Sequence, residues 1–286
     1  MSGALNYKEI LTRHGFSFSK GLGQNFLTNP AIPARIAEGC GADADTFVLE
    51  VGPGAGILTR ELGLRAARVT ALEIDERLLP VLSETLADLP NCEVVLEDVL
   101  KADIPAVVAA RAEGRRAVAA ANLPYYITSP ALARLIDSGC FDAVTVMVQK
   151  EVAHRLAAKP GSADYGAFSV YVQYHGVPRI LFDVPAGCFT PRPKVDSAVL
   201  RIDLGAPRVQ TRSETRFFEV VKAGFAMRRK TLRNCMTSAF GSRLPSDEIL
   251  AAFAEAEIDP ARRAETLSLE DFSRLSDALD MRLRKE

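Results

Sequence analysis

The sequence predicts an α/β fold: a mostly parallel sheet covered by helices, with an antiparallel hairpin at its edge, followed by a small all-α C-terminal domain. Three observations carry this prediction. From residue 46, short apolar runs rich in β-branched residues alternate with amphipathic stretches, the pattern of buried parallel strands separated by helices. A Gly-rich turn follows the first of these runs. Beyond Gly205-Ala206-Pro207 only helical periodicity remains. That break places a domain boundary near residue 206, dividing the chain into 1–206 and 207–286.

The elements follow in order. Thr46–Val51 (TFVLEV) reads as the first buried strand, Val69–Ile74 (VTALEI) as the second and Cys92–Leu96 as the third. Ala117–Ala121 is the fourth and Ala143–Gln149 the fifth, with helical patterns such as Glu76–Leu86 between them. Arg179–Val184 and Val195–Leu204, joined by a Gly/Pro-rich loop, supply the edge hairpin and bring the sheet to seven strands. Helices are expected at Ser213–Ala226, Arg229–Phe240, Ser246–Glu255 and Leu269–Arg284. Ser246, backed by Glu248, and Ser268, backed by Asp271, are placed as N-terminal caps.

Composition narrows the class. The chain has 286 residues, 48% hydrophobic and 25% charged, the balance of a soluble globular protein. No apolar run approaches the roughly 20 residues that span a bilayer, and MSGALNYKEI contains no signal-peptide core. A cytoplasmic protein without membrane attachment is expected. The five cysteines are odd in number and form no CxxC pair. Neither a zinc site nor a disulfide framework is indicated, and buried thiols in a reducing compartment are expected. With three dispersed histidines, no metal site is expected.

The Gly-rich turn is Glu50-Val-Gly52-Pro-Gly54-Ala-Gly56. Glycines there let the backbone approach a ligand and adopt positive φ. Glu73 closes the second strand, where an acid accepts hydrogen bonds from ribose hydroxyls. Asp98 follows the third strand, placed to accept the amino group of a cofactor adenine. The spacing is GxGxG, not the GxGxxG suited to a pyrophosphate. On its own it does not separate a nicotinamide cofactor from S-adenosylmethionine.

Asn122-Leu123-Pro124-Tyr125 directly follows the fourth strand. An exocyclic amine on an aromatic base is a poor nucleophile, because its lone pair is conjugated into the ring. Acceptance of its two hydrogens by the Asn122 side-chain oxygen and a main-chain carbonyl near Leu123–Pro124 favours a pyramidal nitrogen, whose lone pair then faces a methyl sulfonium. Pro124 stiffens the turn and removes a donor. Tyr125 offers a ring on which a flipped base stacks. After a nucleotide-type cofactor site, this segment indicates amine methylation. No general acid or base is needed, since alignment with an already activated donor supplies much of the rate.

These motifs, taken in order, resemble the small-subunit ribosomal RNA adenine dimethyltransferases, the KsgA-type enzymes. The resemblance begins at Gly21–Leu27 (GLGQNFL) and runs through 50–56, 72–75, 97–100 and 122–130. It continues in 148–156, 159–166, Phe189–Ser197 (FTPRPKVDS) and Arg228–Asn234 (RRKTLRN). Met227 stands where the family often has Gln. The resemblance implies a class I, Rossmann-like methyltransferase fold with S-adenosylmethionine as methyl donor. It assigns cofactor contacts to Asn25, Leu27, Gly52, Glu73, Asp98 and Asn122, and Gly54 belongs to the same turn. It implies that two adjacent adenosines in a hairpin loop near the 3′ end of small-subunit rRNA each receive two methyls on N6. The substrate it implies is an immature small ribosomal subunit. A monomer is the default expectation.

Phe189 lies in a Pro-braced loop expected to present its ring toward the transfer site, where with Tyr125 it would sandwich the target adenine. Charge distribution agrees with a polyanionic partner. The net charge of −1 hides three segments. Residues 36–103 carry 14 acids and 5 bases, residues 179–243 carry 5 acids and 13 bases, and residues 247–280 carry 10 acids and 3 bases. The basic stretch begins at the Phe189 loop with Arg192 and Lys194 and reaches Arg228, Arg229, Lys230 and Arg233. The last four are expected on one helical surface facing phosphates, with salt-dependent binding.

Rival readings are a large-subunit rRNA adenine methylase of the antibiotic-resistance type, a DNA adenine methylase, a non-catalytic assembly factor and a nicotinamide oxidoreductase. FTPRPKVDS and RRKTLRN favour the small-subunit reading over the first. The absence of a separate base-reading module disfavours the second. The intact Gly-rich turn and NLPY argue against loss of catalysis, and the GxGxG spacing argues against hydride chemistry.

Overall fold

The run Thr46–Val51 is buried at all six positions and forms an interior strand of a seven-stranded sheet. The structure is a computed structural model and describes residues 5–18, 23–227 and 229–284. Its strands are β1 (Phe26–Leu27), β2 (Thr46–Val51), β3 (Arg68–Glu73), β4 (Cys92–Leu96), β5 (Arg116–Asn122), β6 (Ala143–Gln149), β7 (Gly176–Val184), β8 (Phe189–Thr190) and β9 (Ser197–Leu204). Sheet order is β4-β3-β2-β5-β6-β9-β7. Strands β2 to β6 pair in parallel and β9 pairs antiparallel to β6. The expected antiparallel edge is therefore present, with β7 outermost beside β9.

Contacts divide the chain into two compact units. The first is Met1–Ala153 with Arg179–Leu204, and the second is His154–Pro178 with Gly205–Glu286. The first holds the sheet and the helices α1 (Tyr7–Arg13), α2 (Ala31–Gly39), α3 (Ile57–Gly63), α4 (Leu79–Thr85), α5 (Ile104–Arg111) and α6 (Thr128–Asp137). From β2 the connections run to β3 and β4 on one side and to β5 and β6 on the other. This reversal leaves a crevice at the carboxyl ends of β2 and β5, the usual ligand position of such sheets. A second, two-stranded sheet pairs β1 with β8, setting Leu27 opposite Phe189.

After α7 (Lys150–Leu156), the second unit contains α8 (Ala167–His175), α9 (Glu214–Ala226), α10 (Leu232–Phe240), α11 (Ser246–Glu255) and α12 (Leu269–Leu283). Phe217, Phe240, Phe253 and Phe272 fill its core. Tyr165, Val170 and Tyr174 belong to that same core, and the Tyr174 ring lies 4.8 Å from that of Phe217. This corrects the division at residue 206, which placed 154–178 in the first domain. The apolar face of α8 has its partners on α9, so the segment is grouped with the later helices.

Other differences are local. Ser268 and Asp271 form the reciprocal capping box expected from their spacing. Ser246 does not cap α11, because Pro245 occupies the N-cap position. The helix expected from Arg229 begins at Leu232, because Thr231 caps it, accepting from the Asn234 N–H at 3.5 Å. Of the five thiols expected to be buried, Cys40 and Cys235 are, and Cys92, Cys140 and Cys188 are partly accessible. Among the described residues, no helix is long and apolar enough to cross a membrane.

Candidate active site

The loops leaving β2, β3, β4 and β5 surround a cavity of about 280 Å³. Gly52, Gly54, Glu73, Asp98 and Asn122 line it, and the β1 segment adds Asn25 and Leu27. Every residue assigned to the cofactor from sequence is thus brought to one place. Gly21 and Leu22 of the first motif lie outside the described residues.

Gly52 leaves β2 with φ +71, and a Cβ built on it would meet no protein atom within 4 Å. Gly52 lines the cavity, so no protein atom occupies the space that a Cβ would enter there. Glu73 closes the opposite wall. Its Oε1 accepts the Ile74 and Asp75 N–H groups, each at 2.9 Å, and Oε2 accepts Gly54 N–H at 3.3 Å. Burial pushes its carboxyl above the ordinary range, while these three donors pull it back. The carboxylate therefore ties the β3 end to the Gly-rich turn. Asp98 is set by its own loop, with Oδ1 accepting Leu100 N–H at 2.9 Å.

Glu50, the first residue of the Gly-rich motif, also lines the cavity. It stands in the sheet opposite Ala71 and Ala120, whose small side chains leave it room. Only 1% of it is exposed, and burial pushes its carboxyl up to about 8. The signal for it is an acid inside the otherwise apolar strand TFVLEV. Phe26 and Ile74 also line the cavity.

Asn122 ends β5. Its Nδ2 donates to the Asn25 main-chain oxygen at 3.2 Å, and Asn25 Nδ2 in turn donates to Gly23 O at 3.0 Å. An amide donating through its nitrogen leaves its oxygen as the acceptor. The Pro124 oxygen accepts Ile127 N–H at 3.1 Å and lies 3.5 Å from Thr128 Oγ1. That engagement leaves Leu123 O as the main-chain acceptor beside Asn122. Tyr125 lines the cavity, and its hydroxyl shares a 2.9 Å hydrogen bond with Ser197 Oγ at the end of FTPRPKVDS.

Phe189 departs from expectation. It is 4% exposed and packs in the core cluster that includes Leu27, Val184 and Val199. It pairs with Leu27 through the two-stranded sheet and does not line the cavity. A Pro-rich loop indicated a presented ring; the apolar partners on β1 and β9 draw it inward instead. The exposed ring at the rim is that of Tyr126.

The basic residues divide between the two units. Arg192 and Lys194 are exposed in the loop between β8 and β9 of the first. In the second, Arg229 and Lys230 are exposed in the link before α10, and Arg233 is exposed in its first turn. They do not share one helical surface, because α10 begins at Leu232, so Arg229 and Lys230 precede it while Arg233 lies on it. Arg228 lies outside the described residues.

Comparison with known proteins places this site in context. The family model described as "Ribosomal RNA adenine dimethylase" matches residues 15–281. The ribosomal RNA small subunit methyltransferase A of Enterococcus faecalis is 49% identical over 281 residues, covering 96% of this chain and 94% of the relative. That of Geobacillus thermodenitrificans is 46% identical over 276 residues, covering 95% and 94%. Among solved structures, the 23S rRNA methyltransferase ErmE superposes with a TM-score of 0.68 at 30% identity, covering 89% of this chain and 99% of that one. A dimethyladenosine transferase from Plasmodium falciparum shares the fold, with a TM-score of 0.74 at 24% identity and coverage of 87% and 95%.

Proposed function

Because the chain belongs to the ribosomal RNA adenine dimethylase family, we propose that it dimethylates N6 of two adjacent adenosines in a hairpin loop near the 3′ end of small-subunit rRNA. The observation that carries this is the Asn122 amide, fixed by Asn25 at the edge of a cavity that also holds Glu73, Asp98 and the Gly52 cradle. S-adenosylmethionine is the methyl donor of this family and supplies an activated methyl carbon. Gly52, Glu73 and Asp98 are the residues that hold its nucleoside, and Asn25, Leu27 and Gly54 complete the wall.

The chain's own contribution is to position the amine. In the first transfer Asn122 Oδ1 and Leu123 O accept the two N6 hydrogens, which withdraws the lone pair from the ring and turns it toward the cofactor side; in the second, the one hydrogen left on N6 is accepted by one of the two oxygens. Tyr125 stacks on the target base. The excess proton leaves to water after transfer. Such preorganised dipoles cost no reorganisation during reaction. Phe189 contributes to this site from behind, by holding β1 and therefore Asn25 in register.

Arg192 and Lys194 in one unit, and Arg229, Lys230 and Arg233 in the other, are assigned to rRNA phosphates. The second unit serves as the RNA-binding domain of a monomer acting on immature subunits in the cytoplasm. The likeness to ErmE favours a second reading, methylation of large-subunit RNA, but the more similar relatives carry small-subunit names. Incubation with labelled S-adenosylmethionine and, in parallel, unmethylated small subunits and unmethylated large-subunit RNA, followed by nucleotide mapping, decides between them. Dimethyladenosine at two adjacent positions of the 3′ hairpin is expected. Label confined to large-subunit RNA would sink the reading.

A further inference from the structure

The mechanism above makes no use of Tyr126, yet this residue is 61% exposed and stands on the rim of the cavity. Tyr125 and Tyr126 share a single 3₁₀ turn, Tyr125–Ile127. Consecutive residues of such a turn project about 120° apart, so the two rings do not face the same base. Tyr125 is half-buried and tied to Ser197 by its hydroxyl. Tyr126 is seated differently. A Cβ built on Gly23 would stand 3.3 Å from its Cδ1 and Cε1, so the ring rests on the Gly23 backbone with most of its surface open. Gly23 is also the residue whose carbonyl holds the Asn25 side chain. The ring is therefore a supported aromatic surface beside the amide clamp, and a ring already held in place loses little freedom when a ligand stacks on it.

We propose that Tyr126 is the stacking platform for the nucleobase next to the target adenine. Tyr125 serves the base in the cavity, and Tyr126, rotated away by the turn, receives its neighbour along the strand. Stacking on tyrosine needs only a π-face, so the platform accepts either neighbour, and a purine covers it best. With two adjacent target adenosines, each would occupy the platform while the other is in the cavity. The proposal rests on the functional reading above for the identity of the substrate.

The test uses the full chain with S-adenosylmethionine and unmethylated small subunits, and three variants. Tyr126→Ala and Tyr126→Leu are expected to raise KM for subunits about tenfold, the size of one lost base stack, with the dissociation constant for S-adenosylmethionine unchanged. Tyr126→Phe, which keeps the ring, is expected to restore KM. A hairpin RNA carrying 2-aminopurine beside the target is expected to be quenched by the wild-type and Phe chains and not by the Ala and Leu chains. A Tyr126→Ala chain with wild-type KM and quenching overturns the platform. So does a KM rise matched by weakened S-adenosylmethionine binding, because the ring would then merely prop the Gly23 loop. If the wild-type chain leaves small subunits unmethylated, the functional reading fails and the platform falls with it. If the wild-type chain methylates them and Tyr126→Ala is indistinguishable, the platform alone fails.

Discussion

The Asn122 side chain donates through Nδ2 to the main-chain oxygen of Asn25, 97 residues earlier in the sequence, at 3.2 Å. This contact decides which end of the amide is an acceptor. Asn122→Asp removes the donor and sets a carboxylate oxygen against a carbonyl oxygen. The single-turnover methylation rate is expected to fall by about 100-fold or more, the usual loss for one preorganised polar group at a reacting centre. Calorimetric titration should show a much smaller change in S-adenosylmethionine affinity. Near-wild-type turnover would refute the clamp.

The segment carrying Asn25 is anchored from the turn that follows β3. Gln24 Nε2 donates to Asp75 Oδ2 at 2.8 Å, and Arg77 donates to both oxygens of that carboxylate at 2.7 and 2.6 Å. The Arg77 guanidinium holds the Asp75 carboxyl below the usual range. Asp75→Ala is expected to lower stability by about 1–3 kcal/mol, as for other lost partners of buried polar groups, and to weaken S-adenosylmethionine binding by loosening Gln24 and Asn25. Urea melts and titration check the two effects, and Asp75→Asn, which keeps an acceptor for Gln24, should be milder in both.

Glu50 gives a pH-dependent prediction. Its carboxyl is raised from 4.5 to about 8 by burial, so the folded chain keeps a proton that the unfolded chain releases. The folded state then binds more protons than the unfolded one across that interval, and stability is lost as pH rises from about 4.5 to about 8. Glu50→Gln stays neutral throughout. Its advantage in Tm over wild type is expected to be absent near pH 4, to grow through this window and to level off above about pH 8. A constant difference across the range would contradict the buried neutral acid.

Gly52 separates fold from ligand. Ala at φ +71 is strained by about 1–2 kcal/mol, but its methyl meets no protein atom within 4 Å. Gly52→Ala is expected to fold with Tm lowered by a few degrees. S-Adenosylmethionine affinity should fall by about tenfold or more, because the methyl enters the cradle. Thermal melts and titration of the same preparation test the contrast.

Much of this architecture was legible because it is written in local pattern. Thr46–Val51 and Ala143–Gln149 match their expected bounds, since strands buried on both faces read as unbroken apolar runs. Gly52, Gly54, Glu73, Asp98 and Asn122 were legible because each lies at or just beyond the carboxyl end of a strand with a local apolar pattern. What escaped depends on partners distant in sequence. Strands β1 and β8 have two residues each, too few for any period, and exist through the pairing of Leu27 with Phe189. The same pairing buries Phe189. Tyr165, Val170 and Tyr174 announce an apolar face without naming the core that receives it. The link before α10 turned on Thr231, whose capping hydroxyl competes with continued helix after a basic run.

The ribbon of β1 and β8 has a consequence for anyone recombining this chain with its relatives. It stitches Phe26–Leu27 to Phe189–Thr190, and Thr28 N–H adds a bond to Cys188 O at 2.8 Å. The two stretches are inherited far apart on the gene but behave as one interlocking part. A chimera that imports the later stretch alone brings half of a zip fastener. Successful exchange would require both halves to travel together, even with everything between them left in place.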